Sequence, residues 1–91
     1  MSKFQVILAK SAGKKLKKLP KKKRLGILKA LKELEKDPYL GKPLIGELSG
    51  LFSLRIWPYR VIYRIEKSRL MVIILDIGHR QGIYKNHLHQ D

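Results

Sequence analysis

The 91-residue chain contains no cysteine, which excludes a disulfide framework, a thiolate metal site and a cysteine nucleophile, and fits a reducing compartment. It also lacks any apolar run approaching the ~20 residues of a membrane span. The N-terminus, MSKFQVILAKSAGKK, holds a short apolar stretch between lysines, without a cleavage pattern. The expectation is a soluble, cytoplasmic protein with no membrane partner. A chain of this length supports one domain with a thin core, and at most one site.

Acid is scarce too. Seven Asp and Glu face 21 Lys and Arg, for a formal charge of +14, and the first acid is Glu33, so twelve basic residues precede any neutralising group. Self-repulsion on this scale is relieved by a polyanion or an acidic protein, and nucleic acid is the leading partner class. Lysine-rich compositions occur in thermophiles, but there glutamate rises with lysine. Here it does not.

KFQVILAK (Lys3 to Lys10) is β-branched and apolar and predicts a first strand with Phe4, Val6 and Leu8 on one face. Ser11 is placed to cap a helix whose Ala12, Leu16 and Leu19 form a narrow stripe on a lysine-coated surface, ending at Pro20. A second helix is expected from Lys21 to about Lys36, with Ile27, Leu28, Leu31 and Leu34 as its core face and Asp37-Pro38 as its stop. The linker YLGKPLIGELSG carries too many breakers for a long element. Three strands follow. LFSLRI alternates Phe52, Leu54 and Ile56 against Ser53 and Arg55, and Tyr59, Val61, Tyr63 and Ile65 alternate against Arg60, Ile62 and Arg64. After a polar KSR turn, LMVIILDI is apolar on both faces, as suits a central strand. The order β-α-α-β-β-β predicts an α+β fold, two helices on one face of a mainly antiparallel four-stranded sheet, filling residues 1–91 with 86–91 as a flexible tail.

On the uncovered face Ser53, Arg55, Arg60 and Arg64 would stand together. Close arginine pairs repel by up to about 1 kcal/mol. A face with no task would be better served by Thr, Glu or alternating charge, although solvated basic faces are common. The segment DIGHRQGIYKN then brings His79, Arg80 and Tyr84 onto a loop, where binding and catalytic groups concentrate. LSGLFSLRI, YRVIYRI and IGHRQGIYK, in this order behind a two-helix half, resemble the RelE/ParE superfamily of type II toxin-antitoxin toxins, up to about Lys85.

The resemblance implies a toxin that enters the ribosomal A site and cuts mRNA there without a metal or other cofactor, until a cognate RelB-like antitoxin wraps it with an acidic or amphipathic segment. It places Arg60 as the phosphate-binding strand arginine, Arg80 as a second phosphate or leaving-group arginine, and Tyr84 as the aromatic that orients a nucleotide. Arg55 falls where RelE-type members carry a catalytic lysine. Ser53 falls where many carry another basic residue, so one positive charge of that pattern is missing. The chemistry can be reasoned separately: 2′-hydroxyl attack on the adjacent phosphate builds negative charge that planar, permanently charged guanidinium groups can hold. His79 is a residue type suited to general acid or base work, or else a plain strand-end histidine.

Lys14, Lys15, Lys17, Lys18, Lys21, Lys22 and Lys23, with Arg64, are candidate contacts to ribosomal RNA phosphates. Trp57 is equally readable as a base-stacking residue or as a turn residue, whereas Tyr59 lies in the apolar alternation and reads as core. The terminal HLHQD spaces His87 and His89 too closely for a metal site without further ligands. Two other functions share these features: a ParE-like, non-nucleolytic inhibitor of DNA gyrase, and a basic RNA-binding protein without toxicity.

Overall fold

The computed structural model describes residues 3–79. Strand β1 (Gln5–Leu8) leads into helices α1 (Lys10–Lys18) and α2 (Lys21–Lys36). After a 3-10 turn at Pro38–Leu40 come β2 (Lys42–Pro43), β3 (Phe52–Ile56), β4 (Tyr59–Glu66) and β5 (Met71–His79). The sheet has five strands in the order β1-β5-β4-β3-β2, antiparallel except for the parallel β1–β5 pair. The extra strand relative to the sequence expectation is β2, a two-residue edge strand ending in Pro43, which an edge tolerates because no ladder donor is needed there.

One core joins the layers. Ala12 and Leu16 of α1 and Ile27, Leu31 and Leu34 of α2 pack with Val61, Tyr63, Val72, Ile74 and Ile77. Ile27, Leu31 and Leu34 follow i, i+4, i+7 spacing, which turns one stripe of α2 inward. Leu28 lies a sixth or more of a turn round the helix and is 40% exposed, so it does not belong to the core face assigned to it from sequence. The helices meet at Leu19-Pro20, where the Arg24 guanidinium donates to the carbonyls of Leu19 at 3.3 Å and Lys17 at 3.4 Å, satisfying orphan acceptors at the end of α1.

Two local expectations change. Ser11 does not cap α1, which starts at Lys10 with Ala9 in the N-cap position, two residues before Ser11; the Ser11 hydroxyl instead donates to the Leu75 carbonyl at 3.4 Å. β5 runs through His79, so His79 ends a strand rather than lying on a loop. The linker is pinned by Tyr63, whose hydroxyl donates to the Pro38 carbonyl at 2.8 Å and accepts from the Gly41 N–H at 2.9 Å.

Candidate functional site

The β3–β4 hairpin builds the site. Its register sets Arg55 directly opposite Arg60, flanked by Leu54 opposite Val61 and Ile56 opposite Tyr59. The flanking residues pack in or against the core, so pleating sends both arginines to the other face. Arg55 is exposed and Arg60 half-buried. Neighbouring strands lie ~4.8 Å apart, so two permanent positive charges rise from adjacent backbones. On β5 the residue opposite Arg60 is Gly78, and the third strand therefore puts no side chain at that level.

The same face is closed one level along. Ser53 pairs with Ile62 and Ile62 with Asp76, and these are 4%, 1% and 5% exposed. The expectation that Ser53 looks onto an uncovered face is thus corrected: it shares the arginines' face but is buried. Arg64, four residues or ~13 Å along β4 from Arg60, is tied to Glu66 at 2.7 Å. Its charge is compensated.

His79 stands apart from the arginine pair. It lies opposite Tyr59, with ring centroids 6.1 Å apart in an edge-to-face arrangement, on the face that Arg60 turns away from. The cause is a bulge. Ile62 pairs with Asp76 while Tyr63 pairs with Ile74, so Leu75 is an extra residue and the in–out alternation of β5 shifts by one. Helix α1 grips this bulge: Ser11 bonds the Leu75 carbonyl, and Lys15, one turn on, reaches the Asp76 carboxylate at 2.7 Å. Asp76 also accepts from the Ile77 N–H at 2.9 Å.

A buried carboxylate held this way should be sensitive to neutralisation. Asp76→Asn is expected to cost about 1–2 kcal/mol in urea unfolding, and Lys15→Met less in the Asp76→Asn background than in the native chain. Of the seven candidate RNA-contacting lysines, Lys14, Lys17, Lys18, Lys21, Lys22 and Lys23 are exposed on α1 and α2, and among the described residues they make no ion pair. Arg80 and Tyr84, and the segment 86–91, lie outside the described residues.

The model of one protein family, the ParE toxin of type II toxin-antitoxin system, parDE, matches residues 6–84. The chain belongs to this family. Its relatives include toxin RelG of Mycobacterium tuberculosis, 37% identical over 84 residues that cover 90% of this chain and 97% of the relative. Toxin RelE of the same organism is 33% identical over 84 residues, covering 90% and 87%. In solved structures, the fold matches a chain of the toxin-antitoxin complex RelBE2 from Mycobacterium tuberculosis with a TM-score of 0.80 and 35% identity, over 86% of this chain and 99% of that one. The protein is a type II toxin of the RelE/ParE kind.

In this toxin β3 and β4 set Arg55 opposite Arg60, and no helix among the described residues is long and apolar enough to cross a membrane. Asp76 was missed. Its signal was present in MVIILDIG, where one acid interrupts an apolar run: a carboxylate inside a central strand needs a partner, and the lysines of α1 were there to supply it.

Proposed function

We propose that this toxin is an endoribonuclease that cuts mRNA in the ribosomal A site and so stops translation. The observation that carries the reading is the opposed Arg55–Arg60 pair beside Gly78. The relatives named RelG and RelE, matched over most of their length, support it. In the proposed reaction the ribose 2′-oxygen bonds to phosphorus and the bond from phosphorus to the 5′-oxygen breaks, leaving a 2′,3′-cyclic phosphate and a 5′-hydroxyl. The 2′-hydroxyl proton departs to a base and the 5′-oxygen gains one. Arg60 holds a nonbridging oxygen as negative charge builds, Arg55 adds a second positive charge, and Arg80 and Tyr84 act as the second phosphate ligand and the nucleotide-orienting aromatic.

The proton-transfer apparatus is thin, since guanidinium is a poor base and the sheet places His79 on the other side of its pleat from Arg60. Most of the acceleration then comes from holding the RNA in line, which makes dependence on the ribosome a physical consequence. The lysines of α1 and α2 contact ribosomal RNA phosphates. As RelBE2 is a toxin-antitoxin complex, this toxin takes a RelB-like antitoxin whose acidic or amphipathic segment lies on the basic surface.

The match to the ParE family favours a second reading, a non-nucleolytic inhibitor of DNA gyrase. Induction in cells with pulse labelling separates the two. The proposal expects protein synthesis to stop at once, with cut messages; a DNA-damage response with translation initially intact would overturn it.

A further inference from the structure

Among the described residues Phe4, Phe52, Tyr59 and Tyr63 pack in or against the core, while Tyr39 and Trp57 are 50% and 61% exposed. Tyr39 sits edge-on to Phe52 with Lys67 near its ring. It belongs to the opposite end of β3. Trp57 stands with Pro58 in the two-residue connection between Ile56 and Tyr59, which pair to close the hairpin. It is two residues from Arg55 and three from Arg60, and two residues of strand span ~7 Å. Its indole is largely open to solvent and so accessible to a ligand. A flat, exposed aromatic in the turn that joins two arginine-bearing strands is a combination suited to single-stranded nucleic acid, bases stacking on the ring while cations hold the backbone.

We infer that Trp57 forms a base-stacking subsite of the toxin, receiving the nucleobase next to the phosphate gripped by Arg55 and Arg60. This rests on the reading that single-stranded RNA is the substrate. Stacking on a π-face tolerates every base and favours purines by area, so the subsite contributes affinity and a bias toward purines rather than strict sequence choice.

Trp57 is the chain's single tryptophan, and its emission reports the subsite directly. The probes are a short single-stranded RNA, fully 2′-O-methylated to prevent cleavage, and inorganic polyphosphate of matched charge, with binding followed independently by filter retention. RNA is expected to quench the emission and polyphosphate to leave it unchanged at equal occupancy. Trp57→Leu should weaken RNA binding about tenfold with polyphosphate affinity unaltered, and Trp57→Phe should keep most of it. RNA binding with unchanged emission and undiminished affinity in Trp57→Leu overturns the subsite alone. Failure of the native toxin to bind RNA in any salt, either free or as a message in ribosomes with an open A site, overturns the substrate reading and the subsite together. Emission that responds to an acidic protein partner and not to RNA assigns Trp57 to a protein interface instead.

Discussion

Arg60→Ala is expected to lower mRNA cleavage on programmed ribosomes by roughly 100-fold or more, the loss that follows removal of one well-placed donor to a developing oxyanion. The effect should fall on the chemical step, because the charge it holds grows toward the transition state. Arg60→Lys should recover little, since a point charge does not reproduce a planar fork. Stability provides the control. Arg55 and Arg60 face each other across the hairpin, and like charges directly opposite cost up to about 1 kcal/mol. Arg55→Thr is therefore expected to leave the protein as stable or slightly more so while cleavage falls. If both variants unfold, the pair is structural; if both are folded and fully toxic, the site assignment is wrong.

The second large effect concerns stability. A methyl group at Gly41 would lie 2.6 Å from the Tyr63 hydroxyl oxygen and 2.9 Å from the Ser53 carbonyl. Neither neighbour can yield cheaply. Tyr63 is fully buried, stacked on Phe52 at 5.4 Å between centroids and bonded to Pro38 and Gly41, and the Ser53 carbonyl belongs to β3. Gly41→Ala is expected to cost roughly 3 kcal/mol by overpacking and broken hydrogen bonds, which for a chain of this size lowers Tm by more than about 10 °C. Tyr63→Phe removes the atom in closest conflict, so the double variant should lose less than the sum of the single changes. Burial raises the pKa of Tyr63 above its ordinary 10.0. The unfolded chain ionises there first, so this contribution to stability is complete below pH 10 and declines as pH rises beyond it.

Several elements were legible in sequence because period and boundary agreed. α2 spans the expected Lys21 to Lys36, framed by Pro20 and Asp37-Pro38, and the alternation in FSLRI and YRVIYRIE located both the hairpin and its arginine row. What was not legible has physical causes. Two residues, as in β2, make no pattern. Ile27 and Leu28 are consecutive, so apolar character alone did not show that the stripe excludes Leu28. In β5 the apolar run covers both faces, which hides the extra residue at Leu75, and with it the shift that puts His79 on Tyr59's side.

The central claim, that the toxin cuts mRNA on the ribosome, is tested most directly with purified protein, ribosomes and a message paused with a defined codon in the A site. The account predicts a cut within that codon, a 2′,3′-cyclic phosphate on the upstream fragment and a 5′-hydroxyl downstream, with no cut in the Arg60→Ala reaction. An intact message with native toxin at saturating concentration, or cleavage unchanged in Arg60→Ala, would contradict it.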